Sequence, residues 1–209
     1  MCAQRDALEI GDRYAEDQLY VSISYAQLNK QPGIIGKSNF SYSFSTGFMK
    51  DIILNRQGTF AIAGGAGLGY SLFSHQLKVD EVNGATVFEN GDLISDNVFS
   101  TFNLEVPIEL RWRTSTANKY SFWRVYTGIK FLYNLNNSFR YLDANKVEVA
   151  YKNVSAFENL QYGLTLSAGY DEFNINFFYG LNPIFKNANI NGEVLGTRIL
   201  QFGLIFYLL

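Results

Sequence analysis

The chain reads as an all-β protein: an eight-stranded antiparallel up-and-down barrel that spans a membrane, with a small, polar, ion-paired interior. Three observations predict this. Large apolar residues alternate with small polar ones in eight separate stretches, the periodicity of strands with two unlike faces. The connections alternate between long and short, as in outer-membrane barrels. Aromatic residues reach 16% while charged residues make up only 17%, against about 25% in soluble domains.

The first stretch, 19–28, sets Leu19, Val21, Ile23 and Tyr25 against Ser22, Ser24 and Ala26. The second, 40–48, shows the contrast best, with Phe40, Tyr42, Phe44 and Phe48 on one face and Ser41, Ser43, Ser45 and Gly47 on the other. The third, 59–73, opposes Phe60, Ile62, Leu68 and Tyr70 to Ala61, Ala63, Gly65, Gly67 and Gly69. The fourth, 99–113, opposes Phe102, Leu104, Val106, Ile108, Leu110 and Trp112 to Asn103, Glu105, Pro107, Glu109, Arg111 and Arg113. The fifth, 122–135, sets Trp123, Val125, Ile129 and Phe131 against Arg124, Tyr126, Gly128 and Lys130. Stretches 157–170, 173–182 and 198–209 repeat the pattern with Gly, Ser, Asn and Gln on the polar face.

Long connections are expected at 29–38, 74–98, 136–156 and 183–197, and short ones at 51–58, 114–121 and 171–172. An even strand number puts both termini on the periplasmic side, beside the short turns. Residues 1–18 are charged and unpatterned. They read as a periplasmic leader to a barrel domain over 19–209. Cys2-Ala3-Gln4 is read as lying near a processing site, with lipidation of Cys2 as the alternative. A single cysteine excludes an internal disulfide.

Volume decides which face is inside. An eight-stranded barrel is only just wide enough for side chains to fill it. The Phe, Tyr, Leu and Ile of all eight stretches would not fit, and a soluble carrier would then expose a surface of Ser, Gly, Asn and Ala where mixed Lys and Glu are wanted. With the apolar face outward the small residues fit the lumen, and every backbone group pairs around the closed sheet. Phe48, Phe60, Trp112, Trp123, Tyr170, Phe173 and Phe206 all share the outward parity beside the short turns, which predicts an aromatic girdle at one membrane interface. The net charge of −2 gives no electrostatic footprint for nucleic acid. No metal-ligand spacing, phosphate loop or nucleophile motif is present, so no cofactor is expected.

The candidate site is the charge inside. Glu105, Glu109, Arg111, Arg113, Arg124 and Lys130 share the lumen face of the fourth and fifth strands, and an ion-paired plug is expected. If the turn pairs Arg113 with Phe122, Glu105 faces Lys130, Arg111 faces Arg124, and Glu109 sits between the arginines. Gly65, Gly67 and Gly69 leave room for these side chains. Pro107 lacks an N–H and is expected to sit at a bulge. The single histidine, His75, is expected in solvent at the outer rim. An outer-leaflet lipid-modifying triad with Ser74 and one of Asp80, Glu81 or Glu89 is the catalytic alternative, and a narrow ion or small-solute pore the transport one.

The segments Gly11-Asp12-Arg13-Tyr14, Leu104 through Thr114 (LEVPIELRWRT), Gln161-Tyr162-Gly163-Leu164 and Gly203-Leu204-Ile205-Phe206-Tyr207 resemble the PorT-like outer-membrane β-barrel proteins, often called porin family proteins. The resemblance implies a small barrel in Gram-negative bacteria that use type IX secretion. The reading is therefore a non-enzymatic envelope protein, structural, partner-binding or secretion-associated. Outer-membrane lipid and a larger outer-membrane or secretion complex are its expected partners.

Overall fold

The computed structural model describes residues 17–33, 35, 40–91, 94–114, 123–170 and 173–208. Its strands are β1 (Gln18–Asn29), β2 (Tyr42–Ile53), β3 (Phe60–Ser74), β4 (Leu77–Val82), β5 (Ala85–Asn90), β6 (Ser95–Arg113), β7 (Trp123–Leu142), β8 (Glu148–Lys152), β9 (Leu160–Tyr170), β10 (Phe173–Gly180), β11 (Asn189–Ile190), β12 (Glu193–Val194) and β13 (Arg198–Leu208). Eight of them pair antiparallel in the order β6-β3-β2-β1-β13-β10-β9-β7, and β6 pairs with β7 to close the ring. This is the closed eight-stranded barrel that the alternation predicts. The leader expected over 1–16, most of the 114–121 turn and the 171–172 turn lie outside the described residues.

The outer wall is apolar because each strand keeps its parity. Between Leu19 and Tyr25 of β1, or Phe102 and Trp112 of β6, every second residue is a large apolar side chain, and many are exposed. The lipid-facing hydroxyls of Thr46 and Thr127 donate to the Tyr20 and Thr165 carbonyls at 3.0 and 3.1 Å, so the wall offers no unpaired donor there.

Two aromatic belts bound this wall. At the short-turn end the predicted girdle residues become neighbours: Phe60 pairs with Trp112, Trp123 with Tyr170, and Tyr170 with Phe173. Trp123 meets Tyr170 edge to face at 5.4 Å, as Phe173 meets Phe206 at 5.3 Å. Phe48 points outward beside them, opposite Leu19. The second belt, of Tyr25, Tyr42, Tyr70, Phe102, Tyr133 and Tyr162, faces outward at the long-loop end. Phe60 and Tyr70 are ten residues apart on β3, as are Trp123 and Tyr133 on β7. With a rise of about 3.3 Å and a tilt of about 40°, that is about 25 Å, the height of an outer-membrane barrel's apolar band.

The long connections carry more structure than the sequence reading assigns. The 74–98 stretch holds the β4–β5 hairpin, turned on Asn83 and Gly84 at φ 52° and 78°. β6 starts at Ser95 and β7 continues to Leu142, so this side of the barrel rises beyond the second belt, with β8 along its edge. A second small hairpin, β11–β12, turns on Asn191 and Gly192 at φ 50° and 85°. Both use the Asn-Gly pair that suits a tight two-residue turn.

The bulge expected at Pro107 is not there. Pro107 pairs in register with Lys130, and the β3–β6 ladder only skips from Gly64↔Ile108 to Gly67↔Glu105, with no shift. The missing N–H interrupts a ladder without adding a residue to it. The irregularities lie higher, between Ser95 and Val98 and between Phe102 and Asn103, where Leu135 is the extra residue of β7.

Candidate functional site: the filled lumen and its cap

The lumen is layered along its length. At the short-turn end, Arg111 and Arg113 are fully buried. Arg111 donates to Asp51 at 2.8 Å, to Glu109 at 3.0 Å and to the Gln18 side-chain oxygen Oε1 at 3.1 Å. Arg113 donates to the same Asp51 carboxylate at 2.6 Å and to the Gly58 carbonyl at 2.9 Å. The Arg111 guanidinium also lies over the Tyr126 and Tyr207 rings, at 4.6 and 5.4 Å. Arg124 is buried, with its guanidinium 6.0 Å from the Tyr207 ring.

The next layer up is smaller. Lys130 donates to Glu105 at 3.1 Å, and the Tyr20 hydroxyl points at the same oxygen at 3.4 Å. The glycines of β3 make this layer possible: a Cβ at Gly69 would run into the Glu105 carboxylate, and one at Gly67 into the Tyr20 hydroxyl. Above them Ser22 bonds Ser45 at 2.7 Å and Ser71 donates to Ser43 at 3.0 Å. Asn134 donates to Asn103 at 2.9 Å, and Asn137 to Asn134 at 3.0 Å. What space remains among Tyr20, Glu105, Glu109, Lys130 and Thr165 is about 20 Å³, room for a water or two.

The structure thus puts all six predicted charges inside, but in another register. Arg113 faces Arg124, Arg111 faces Tyr126, Glu109 faces Gly128, and Glu105 faces Leu132. The expected pairing is two residues off, because a two-residue slip leaves every side chain on its own face and the face pattern cannot distinguish the two. Glu109 does not sit between two arginines; it bonds Arg111 along its own strand. Lys130 still reaches Glu105, diagonally. The acid that the sequence reading missed is Asp51. The sequence pattern assigns it to the 51–58 turn, whereas β2 runs on to Ile53 and turns Asp51 inward.

The interior is not polar throughout. At the long-loop end the inner wall is Leu28, Phe73, Phe99, Leu132, Phe139 and Phe178. All four long connections fold apolar side chains onto it: Ile35, then Leu77 and Val79, then Val154 and Phe157, then Ile184, Phe185 and Leu195. Phe99 stacks on Phe139 at 4.3 Å and on Phe73 at 5.5 Å. This hydrophobic cap closes the mouth. Its sequence signal is a set of consecutive apolar pairs in which one member faces out and the other in: Leu72-Phe73, Val98-Phe99, Phe131-Leu132, Phe177-Phe178.

His75 is in this cap, not in solvent. It is 4% exposed and meets Phe99 and Phe139 edge to face, at 6.2 Å each. Its Nδ1 accepts the Leu77 amide at 3.1 Å, and its Nε2 is buried with no partner. Burial alone pushes its pKa down to about 4, so the ring is neutral at pH 7. No described hydrogen bond joins it to Ser74 or to a carboxylate. Outside the cap, Asp80 accepts from the Tyr141 hydroxyl and pairs with Lys78 at 2.7 Å, while Lys78 also holds Glu89 at 2.9 Å. Burial would raise the Asp80 carboxyl, but its bonds from Lys78 and Tyr141 outweigh this and hold it below the ordinary value.

A closed sheet with a lipid-facing wall and two aromatic belts defines an integral barrel of the outer-membrane type. The chain belongs to the outer membrane protein beta-barrel domain family, whose model matches residues 2–186, and it is accordingly a protein of the bacterial outer membrane. Among curated proteins none matches it. Among solved structures it is similar to Ail, the attachment invasion locus protein of Yersinia pestis, at 14% identity and a TM-score of 0.33, over 92% of this chain and 99% of that one. It is also similar to Ail in complex with the heparin analogue sucrose octasulfate, at 15% identity and a TM-score of 0.37, over the same shares.

Proposed function

We propose that this protein is a non-conducting, non-enzymatic outer-membrane barrel that displays its long connections at the cell surface for a partner. The observation that carries this reading is the sealed lumen: about 20 Å³ of free space in the charged layer, with an aromatic cap above it. A pore needs a continuous water path, and among the described residues the charged layer and the cap above it are closely filled. The free surface of the molecule is instead the set of hairpins held rigidly above the wall, the usual place for recognition on a fixed scaffold. Both termini then lie in the periplasm, with the short turns. The sequence resemblance to PorT-like barrels makes a type IX secretion or envelope complex the partner class to test first.

The experiment combines topology with cross-linking. Cysteine placed at Val82, on the β4–β5 hairpin, is labelled on intact cells by a membrane-impermeant thiol reagent, whereas cysteine at Arg56, in a short turn, is labelled only after the envelope is opened. A photo-cross-linker at Val82 then yields a discrete adduct in living cells. Labelling of Arg56→Cys on intact cells overturns the orientation, and absence of any adduct from the hairpins overturns the partner-binding role.

A further inference from the structure

We propose that His75 is an acid-sensitive latch: protonating its imidazole releases the β4–β5 hairpin from the barrel rim and opens the hydrophobic cap to water. The proposal rests on the sealed-lumen reading for its meaning, and on a local geometry of its own. Two hydrogen bonds tie the root of the hairpin to β6, and a third closes the root on itself. The His75 amide donates to the Asn97 carbonyl at 3.1 Å, the Asn97 side chain donates to the Leu77 carbonyl at 2.7 Å, and the Leu77 amide donates to His75 Nδ1 at 3.1 Å. The last bond requires a bare Nδ1. In an imidazolium both ring nitrogens are donors, so protonation sets an N–H against the Leu77 N–H and breaks the tie.

No described hydrogen bond gives the new charge a carboxylate partner. The ring is held between Phe99 of β6 and Phe139 of β7. The titratable groups at this end of the elements packed against it are Lys78, Asp80 and Glu81 of β4, Asp96 of β6, and the outward-facing Arg140 and the inward-facing Tyr141 of β7. Lys78, Asp80 and Tyr141 are bonded to one another, Asp96 is exposed on the rim, and no described bond joins any of them to the imidazole. Protons can nevertheless reach it. A polar cleft of about 310 Å³, lined by Ser74, His75, Gln76, Ser95, Asp96 and Asn97, opens beside the ring. The register shift between Ser95 and Val98, with Asp96 at φ 49°, interrupts the β6–β7 ladder beside the hairpin's root.

An open cap returns the ring to water and to an ordinary pKa near 6.5. Against the buried value of about 4, acidification from pH 7 to pH 5 then shifts the closed-to-open equilibrium about 20-fold toward open. The test is backbone hydrogen exchange on the full chain in detergent micelles at pH 7 and pH 5, corrected for the intrinsic chemical rate. The β4 amides are expected to exchange about 20-fold faster at pH 5 than at pH 7, the β1–β13 ladder to be unchanged, and His75→Phe, which has no ring nitrogen to accept the Leu77 amide, to give a β4 rate that does not change with pH. His75 is the chain's one histidine, so its ring NMR signals in the wild-type protein can be followed without ambiguity. They should titrate between pH 6.5 and 4, in step with hairpin exchange, and this reading stands even if the variant does not fold. Unchanged β4 exchange, an acid response that survives in His75→Phe, or a ring that titrates with no change in the hairpin overturns the latch. Current through the wild-type protein at pH 7 would instead sink the sealed-lumen reading, a separable failure.

Discussion

Arg113 donates to Asp51 at 2.6 Å across the lumen, although their strands, β6 and β2, are not neighbours and β3 lies between them. The bond stitches the barrel through its interior and shares one carboxylate between two fully buried guanidinium groups. Asp51→Asn removes the carboxylate that two buried cations share and should cost about 3–5 kcal/mol. The double replacement Asp51→Leu with Arg113→Met should recover part of that loss, because Arg111 keeps Glu109. Urea midpoints for refolding into lipid vesicles check both, and equal losses would contradict the shared-carboxylate account.

The β6–β7 register has its own test. Glu109 faces Gly128, and a Cβ there would meet the Ile108 carbonyl oxygen and the Glu109 backbone, neither of which can swing aside. Gly128→Ala should therefore destabilise by about 1–3 kcal/mol through strand displacement, seen as a lower unfolding midpoint. In the register first expected from the turn, Gly128 would face another residue and this contact would vanish.

Depth in the membrane is set by the two belts. Ile108 lies on the row Gly64, Ile108, Ile129 and Leu164, midway between them. Ile108→Arg should cost about 2–4 kcal/mol, and Trp123→Arg, at the short-turn belt, about 0–1 kcal/mol. Unfolding free energies in one lipid composition give the comparison, and equal costs would contradict the placement of the belts.

The acid response divides between two groups by sign. His75 has a folded pKa below its unfolded one, so its closed form is favoured above about pH 6.5 and loses up to about 3 kcal/mol as pH falls to about 4. Asp80 is also depressed, but from the carboxylate range, so its contribution persists through pH 5 and fades only in stronger acid. Loosening of the hairpin between pH 6.5 and 5 should therefore survive Asp80→Asn and disappear in His75→Phe. Exchange rates of the β4 amides read this directly.

The barrel itself was legible because alternation has one physical cause. A strand with lipid on one side and a crowded lumen on the other must read large, small, large, small, and volume then fixes which face is which. The charges were legible as a group for the same reason. Their partners were not, since a slip of two residues keeps every face intact while exchanging every neighbour. Asp51 escaped because it follows Lys50, and a charged pair beside a turn resembles a loop; only the extra turn of ladder in β2 brings it inside. The cap escaped because it breaks the alternation. Where both sides of a strand become dry, as at Leu72-Phe73 and Phe177-Phe178, both residues are apolar and the two-faced pattern vanishes. His75 was misplaced with it, since its burial depends on side chains from four distant connections.

The central claim is a membrane barrel whose interior is filled from one end to the other. Conductance of the purified, refolded protein in a planar bilayer at pH 7 tests it most directly. The account predicts a silent membrane under applied voltage, with insertion shown by heat-dependent gel migration of the same sample. A steady, reproducible single-channel current from the folded form would contradict it.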